Sequence, residues 1–257
     1  MSDILGKRYN LAGKVAAITG GADGIGRATA RLLAELGAAI AILDRDADKA
    51  ATLAAELSST GATAIALTVD VGDEAQLEAA FAELERRFGR LDVLVNNAGM
   101  AVRASADSIS LTDWNRVLAV NLTGMFLAAR LAARLMAPTG GAIVNTASIM
   151  GLSGGIYPNV AYQTTKGGVV NMTRALALEW VANNIRVNAV APTFVNTGFI
   201  APITGDAEKL GAVLAATPMH RLAEPEEVAD AIAFLASSAA SMITGVTLPI
   251  DGGFLAR

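Results

Sequence analysis

Short apolar runs rich in β-branched residues alternate with longer helical patterns along the whole 257-residue chain. This alternation is typical of βαβ units, in which helices connect parallel strands. The predicted strands are residues 15–19, 39–43, 63–69, 91–95, 142–146, 186–190 and 246–250. The predicted helices are residues 25–36, 46–58, 74–88, 111–136, 162–183 and 225–237.

Right-handed crossovers between such strands build a doubly wound sheet. The sequence therefore predicts a single-domain α/β Rossmann fold over residues 1–257, with a seven-stranded parallel sheet and helices on both faces. Such a sheet binds ligands beyond the carboxyl ends of its strands. The least regular stretch, about residues 193–218, is interpreted as a substrate lid, and the alternative is an ordinary surface connection.

Composition limits the chemistry available to this chain, which has 53% hydrophobic residues, no Cys, one His and a net charge of −4. Charged residues, Gly or Pro interrupt every apolar stretch before the roughly 18 residues that span a membrane. Without Cys or a His cluster we expect no metal site. We also expect no nucleic-acid partner, because basic runs are absent, and a cytoplasmic protein, because no secretion signal is recognisable.

A glycine-rich string joins the first predicted strand to the first predicted helix. Gly20, Gly24 and Gly26 permit a tight turn, a close backbone approach to a pyrophosphate and close packing of helix on strand. Asp23 and Ile25 lie within the same string. Alone the string is a weak signal, because loops also use glycine for turning, but its position between strand and helix favours a dinucleotide site.

Asp44 ends the second predicted strand, 18 residues beyond Gly26. A carboxylate there would accept hydrogen bonds from the adenosine ribose and repel a 2′-phosphate, which favours NAD over NADP. Arg45 is adjacent and could meet that phosphate, so NADP stays open. The structural alternative is that Asp44 is solvated or helps to cap the next helix.

Tyr162 and Lys166 lie four residues apart on a predicted helix, so both reach a common ligand. A phenol has a pKa near 10, but an ammonium and an oxidised nicotinamide nearby are expected to lower the pKa of Tyr162. Tyr162 would then exchange a proton with the substrate hydroxyl. Ser148, just past the fifth strand, would share that substrate oxygen. Without the other motifs, a Tyr and a Lys four residues apart are usually an ordinary surface pair.

Together these motifs make the chain resemble the short-chain dehydrogenase/reductase family over nearly its whole length. The string from Thr19 to Gly26 is similar to the family's nucleotide motif, and Asn96-Asn97-Ala98-Gly99 is similar to its most recognisable tetrapeptide. The resemblance implies four catalytic residues, namely Asn121, Ser148, Tyr162 and Lys166. It implies further cofactor contacts at Asp70, Val71, Asn97, Ala98, Gly99, Tyr162, Lys166, Pro192, Val195 and Thr197.

The resemblance also implies details that the residues alone do not. Asn121 is expected to interrupt its helix and to hold a water beside Lys166 for proton relay. Thr193 stands where the family usually has a glycine after Pro192, and its effect on the substrate side is left open. The expected pocket residues are Ala101, Val102, Arg103, Ile149, Met150, Leu152, Ile156, Asn159 and Phe199. Arg103 would bind a substrate carboxylate or simply be solvated.

The function predicted from the sequence is an NAD-dependent oxidoreductase that transfers a hydride between nicotinamide and a secondary alcohol or ketone. A small polyol, sugar-derived alcohol or hydroxy ketone is the expected substrate, and a homotetramer the expected assembly. One alternative is an NADPH-dependent 3-oxoacyl carrier protein reductase or general carbonyl reductase. Asp44 and Leu178 weigh against the carrier-protein enzyme, because its subgroup often has a basic residue at the position of Leu178. Another alternative is a non-enzymatic NAD-binding sensor or scaffold.

Overall fold

A computed structural model describes residues 2–257, with side chains from residue 6 onward. One sheet of seven strands runs through it, all parallel, in the order β3-β2-β1-β4-β5-β6-β7. The strands are β1 Val15–Thr19, β2 Ala39–Asp44, β3 Ala64–Thr68, β4 Val93–Asn96, β5 Gly141–Thr146, β6 Ile185–Pro192 and β7 Thr247–Ile250. Each predicted strand is present, with bounds that differ by at most two residues. The predicted fold class is confirmed.

Helices cover both faces of this sheet. The α-helices are α1 Ser2–Tyr9, α2 Gly24–Glu35, α3 Ala47–Ser59, α4 Glu74–Phe88, α5 Leu111–Leu118, α6 Gly124–Met136, α7 Val160–Trp180, α8 Ala201–Thr204, α9 Ala207–Ala216 and α10 Pro225–Ala236. Short 3-10 helices lie at Ile149–Gly151, Val181–Asn183, Gly198–Ile200, Ser238–Ala240 and Phe254–Ala256. Helix α1 was not predicted, because its sequence is polar and lacks an apolar stripe.

Two apolar layers hold the helices to the sheet. Alternate residues of β1 illustrate the arrangement, because Ile18 packs in the layer under α2, α3 and α10, whereas Ala17 packs in the layer under α4, α6 and α7. All five residues of β1 are buried. A strand covered on both faces has no solvent side, which explains why its sequence is a continuous apolar run.

The strand order reverses beside β1, which has β2 on one side and β4 on the other. The connections leave in opposite directions there and open a crevice at the carboxyl ends of β1 and β4. The glycine-rich string and the tetrapeptide at 96–99 follow these two strands. The topology therefore brings the predicted nucleotide motifs together.

The predicted helix 111–136 is divided by a π-helix at Ala119–Thr123, between α5 and α6. Gly124 follows it, and a Cβ there would overlap the Val71 carbonyl oxygen, so close packing requires glycine. By length and composition the run Leu111–Met136 is apolar enough to cross a membrane. Half of its most apolar window is buried inside the fold, and the run packs against α4 and the sheet, as a core helix does.

The stretch 193–218 is more regular than the sequence suggested. It contains the 3-10 helix Gly198–Ile200, followed by α8 and α9. Its apolar side chains Ile200, Ile203 and Val213 form a small core with Ile149 and Phe254. These short helices were not predicted from the sequence, because they gain their order from packing against distant segments. Its role as a lid stays a prediction.

We predict that Gly26→Ala lowers the free energy of unfolding by about 2 kcal/mol, because the added Cβ would overlap the Gly20 carbonyl oxygen. Gly211→Ala is the matched control: it lies in α9, where nothing lies within 4 Å of the added Cβ, and should stabilise the protein slightly. Urea denaturation of both variants measures the difference. Equal free energies of unfolding for the two variants would contradict the tight packing around Gly26.

Candidate active site

The β1–α2 loop exposes the amino end of α2 to the crevice. Gly20 and Gly24 have φ values of 60° and 49°, in the region that favours glycine. Asp23 caps the helix by accepting a hydrogen bond from the Gly24 N–H at 2.8 Å. Its carboxylate also pairs with Lys49 at 2.7 Å, and this partner lowers the pKa of Asp23. The positive end of the α2 dipole is thus available to a phosphate.

The tetrapeptide after β4 fixes this loop from the other side of the crevice. The Thr19 hydroxyl accepts hydrogen bonds from the backbone N–H groups of Asn97 and Ala98, at 3.0 and 3.1 Å. The Asn97 side-chain amide donates to the Gly20 carbonyl at 2.9 Å. These three bonds join the carboxyl ends of β1 and β4, so the tetrapeptide positions the phosphate loop.

Asp44 lies at the end of β2, and its carboxylate faces both the loop and the crevice. One oxygen accepts a hydrogen bond from the Ala22 N–H and the other from the Asp46 N–H, each at 3.0 Å. Asp44 and Arg45 both line the crevice. Asp44 thus helps to position Asp46 at the start of α3, as the structural alternative proposed. The same carboxylate also lies at the cavity wall, where a ribose would meet it.

The crevice is a cavity of about 510 Å³ that runs from Asp44 and Asp70 to Tyr162 and Lys166. Most of the predicted cofactor residues line it: Gly20, Asp23, Gly24, Ile25, Asp44, Asp70, Val71, Asn97, Ala98, Gly99, Tyr162, Lys166 and Thr197. Gly26, Pro192 and Val195 do not line it. Gly26 lies beneath the loop, while Pro192 and Val195 line a second cavity next to the first.

Further residues of the first cavity were missed by sequence reasoning. They are Val69, Met100, Arg116, Val120, Thr146 and Gly198, whereas Phe199, which also lines this cavity, was expected in the substrate pocket. Most of them flank motif residues, so their neighbours in the chain were the available signal. Arg116 comes from α5 and no motif points to it. The glycine cradle, the ribose-facing carboxylate and the buried amine together fit a nicotinamide dinucleotide.

Lys166 is buried at the chemical end of this cavity, with 3% of its surface exposed. Its ammonium donates a hydrogen bond to the Thr146 carbonyl at 2.5 Å, at the end of β5. Its Nζ also lies 5.6 Å from the centroid of the Tyr162 ring. Burial lowers the pKa of Lys166 to about 8, because a desolvated ammonium is disfavoured.

Tyr162 lines both cavities and therefore lies where they meet. In the protein alone, burial raises the pKa of its phenol, while the Ser148 side chain and the Arg103 charge act in the opposite direction. The expected fall in the pKa of Tyr162 is thus not produced by the protein alone. The Lys166 Nζ lies over the Tyr162 ring and its hydrogen bond goes to the Thr146 carbonyl, so it makes no hydrogen bond to the phenol.

Asn121 lies within the π-helix, so the helix is interrupted where the family resemblance implied. Its side-chain amide donates to the Met100 carbonyl at 2.8 Å and to the Thr165 hydroxyl at 3.2 Å. Its oxygen accepts from the Met100 N–H at 2.8 Å. A Cβ on Gly99 would lie 3.5 Å from this oxygen and 3.8 Å from the Lys166 Nζ. Asn121 and Lys166 thus both border Gly99, and the water-holding role of Asn121 stays a prediction.

The second cavity, about 130 Å³, adjoins the first and shares Tyr162 with it. Ser148 and Thr193 line it, together with these expected pocket residues: Arg103, Ile149, Met150, Asn159 and Phe199. The remaining expected residues, Ala101, Val102, Leu152 and Ile156, do not line it. Sequence reasoning missed four large side chains of this wall: Tyr157, Phe194, Ile200 and Ile203. We identify this space as the candidate substrate cavity.

Arg103 connects the loop after β4 with the segment 193–218. Its guanidinium donates a hydrogen bond to the Phe199 carbonyl at 3.0 Å and lies 5.6 Å from the centroid of the Phe199 ring. That ring in turn lies 6.0 Å from the Tyr162 ring. In residues 2–257, no group of three or more His, Asp or Glu residues is placed to hold a metal ion.

Comparisons with known proteins agree with this geometry. A family model described as enoyl-(acyl carrier protein) reductase matches residues 20–255. A cis-4-hydroxycyclohexanecarboxylate dehydrogenase from Sinomonas cyclohexanicum is 45% identical over 245 residues, which are 95% of this chain and 97% of that protein. A D-threitol dehydrogenase from Mycolicibacterium smegmatis is 42% identical, covering 96% and 94% of the two chains.

Two further similar proteins have a nicotinamide cofactor in their names or descriptions. An NAD-dependent glycerol dehydrogenase from Listeria innocua is 38% identical, and the match covers 96% of each chain. The crystal structure of a gluconate 5-dehydrogenase from Burkholderia cenocepacia, in complex with NADP and tartrate, is 37% identical with a TM-score of 0.94. That match covers 98% of this chain and 99% of the other.

The doubly wound sheet and the site at its carboxyl edge define an oxidoreductase with a nicotinamide cofactor. The matched family model and the similar proteins identify the family within this class. This protein belongs to the short-chain dehydrogenase/reductase family.

Proposed function

We propose that the protein is an NAD-dependent dehydrogenase that oxidises a secondary alcohol to a ketone, or catalyses the reverse reduction. The observation that carries the proposal is the position of Tyr162, which lines both the dinucleotide cavity and the substrate cavity. A proton carrier at this junction is within reach of a substrate hydroxyl whose carbon faces the cofactor. A bare sensor or scaffold would not need this arrangement.

Each catalytic side chain has a distinct task in this proposal. The Tyr162 phenolate takes the hydroxyl proton of the alcohol, or its phenol returns that proton to the ketone oxygen. The Ser148 hydroxyl donates a hydrogen bond to the same oxygen and stabilises the negative charge that develops there. Bound nicotinamide supplies the hydride acceptor or donor. Lys166 holds the nicotinamide ribose, and its charge favours the phenolate electrostatically.

The preference for NAD rests on Asp44. Its carboxylate is held by two backbone N–H groups at the cavity wall, so it cannot swing away from a 2′-phosphate without breaking them. A fixed negative charge there repels that phosphate and accepts ribose hydroxyl protons. Arg45 provides the opposing charge, which makes NADP the less favoured cofactor and not an excluded one.

The substrate proposed is a small polyol, a sugar-derived alcohol or a hydroxy ketone. The substrate cavity is small, with a wall that mixes apolar side chains and a few polar groups, and it suits a short substrate. The threitol and glycerol dehydrogenases among the relatives bear names of this class. The alternative, reduction of a 3-oxoacyl carrier protein, is less supported because the exposed Leu178 on α7 offers no positive charge to a carrier.

We further propose a cytoplasmic homotetramer. Apolar side chains lie exposed on the outer surfaces of α6 and α7 and near the carboxyl end, namely Phe126, Leu178, Val181, Met242 and Val246. Exposed apolar side chains of this size favour contacts between subunits. Light scattering would give the mass of four chains, and a single-chain mass would contradict the proposed assembly.

We predict that Tyr162→Phe lowers kcat for alcohol oxidation at least a thousandfold, because the ring remains and the exchangeable proton is lost. Dinucleotide affinity, measured by fluorescence titration, should change less than threefold. Tyr9→Phe is the matched control, since Tyr9 lies in α1 away from both cavities, and should retain full activity. Full activity of the Tyr162 variant would refute the proposed function.

We predict that Asp44→Asn reduces the ratio of kcat/KM for NAD to that for NADP at least tenfold. The variant removes the negative charge and also one of the two backbone hydrogen bonds, because an amide has a single acceptor oxygen for the Ala22 and Asp46 N–H groups. Asp46→Asn, with the same charge change on a residue that caps α3 and does not line the cavity, is the control. Steady-state kinetics with both nucleotides measures the ratio, and an unchanged ratio in the Asp44 variant would contradict the proposed preference.

A further inference from the structure

One positive charge lies in the wall of the substrate cavity. Of the side chains that the structure describes, Arg103 is the charged one that lines this cavity, and the others are apolar or uncharged polar groups. Tyr162 belongs to the same wall, and the cavity holds only about 130 Å³. The guanidinium therefore shares a small space with the phenol that carries the proposed proton transfer.

Phe199 holds this charge in place. The Arg103 guanidinium donates a hydrogen bond to the Phe199 carbonyl at 3.0 Å and lies 5.6 Å from the centroid of the Phe199 ring. A guanidinium at this distance is attracted by the π electrons of the ring. The Phe199 ring in turn lies 6.0 Å from the Tyr162 ring. Phe199 thus lies next to both side chains and keeps the exposed guanidinium beside the cavity.

Lys166 is the other cation beside Tyr162, but its charge depends on pH. Burial lowers the pKa of Lys166 to about 8, whereas burial raises the pKa of the Tyr162 phenol from its ordinary value of 10.0. In the protein alone, the amine therefore loses most of its charge before the phenol ionises. The Arg103 guanidinium keeps its charge over this whole range. Its positive charge opposes the effect of burial on the Tyr162 pKa.

The remaining charged residues of the site line the dinucleotide cavity and not this wall. They are Asp23, Asp44, Arg45, Asp70 and Arg116. Asp44 ends β2, three strands away from β5, and neighbouring strands are about 4.8 Å apart. Asp23 pairs with Lys49 at 2.7 Å, and Asp70 accepts a hydrogen bond from the Gly72 N–H at 2.8 Å. These carboxylates thus have partners of their own in the nucleotide part of the site.

We propose that Arg103 is a positioning residue for the proton transfer, whose charge stabilises the Tyr162 phenolate from the substrate cavity. The catalytic consequence rests on the proposed function, whereas the effect on the phenol does not. Lys166 acts on Tyr162 from the dinucleotide cavity, and Arg103 acts from the adjoining one. This role operates with neutral alcohols, because it requires no carboxylate on the substrate.

The test is a tyrosinate difference titration of Arg103→Met, which keeps a long side chain and removes the charge. Each variant is measured against the same variant with Tyr162→Phe added, so that the signals of Tyr9 and Tyr157 cancel. We expect a higher Tyr162 pKa in Arg103→Met than in the wild type, both without and with saturating NAD⁺. At pH 7, kcat/KM for NAD-linked oxidation of 2,3-butanediol should fall about threefold or more, and its pH profile should move to higher pH.

Two further variants and added salt separate charge from packing. Arg103→Lys keeps the positive charge and should restore the wild-type pKa and rate. Arg174→Met makes the same change at an exposed residue of α7 that lines neither cavity, and it should leave the Tyr162 pKa unchanged. In 1 M NaCl the difference between the wild type and Arg103→Met should shrink, because Arg103 is exposed and the screening length falls to about 3 Å.

An unchanged Tyr162 pKa in Arg103→Met would overturn the role of Arg103. An equal rise in Arg103→Lys, undiminished by salt, would also overturn it, because the effect would then come from the packing of Phe199. If the wild type oxidises no alcohol of a broad panel with NAD or NADP, the proposed function fails, while the titration still decides whether Arg103 acts on the phenol.

Discussion

The hydrogen bond from the Lys166 ammonium to the Thr146 carbonyl connects the fold to the chemistry. It holds a buried amine at the carboxyl end of β5, where the sheet would place a bound dinucleotide. Burial lowers the pKa of this amine to about 8, and the hydrogen bond to the carbonyl gives the desolvated ammonium a partner. Tyr162, one helical turn before Lys166, is thereby placed with its ring beside this amine.

The pKa of Tyr162 connects the proposed proton transfer to the cofactor. Tyr162 is partly buried, and this burial raises the pKa of its phenol in the protein alone. The positive charge of an oxidised nicotinamide, next to that of Lys166, would lower the pKa in the complex. The proton acceptor is then formed only where a hydride acceptor is present, and both cavities contribute to one step.

Much of the fold could be predicted because local sequence determines it. A parallel strand buried on both faces, such as Val15–Thr19, must be an apolar run, and the glycine-rich loop must follow it for steric reasons. The nucleotide side of the site followed from these motifs. The substrate wall did not, because Ile200 and Ile203 reach it through packing between segments far apart in the chain. The pKa of Tyr162 was missed for the same reason, since burial is a tertiary property.

The proposed proton transfer depends on Tyr162, which lines both cavities. The most direct measurement is a spectrophotometric titration of tyrosinate in the wild type minus Tyr162→Phe, with and without saturating NAD⁺. We expect a Tyr162 pKa above its ordinary value of 10.0 in the protein alone, and a clearly lower pKa when NAD⁺ is bound. An identical pKa in both states would contradict it.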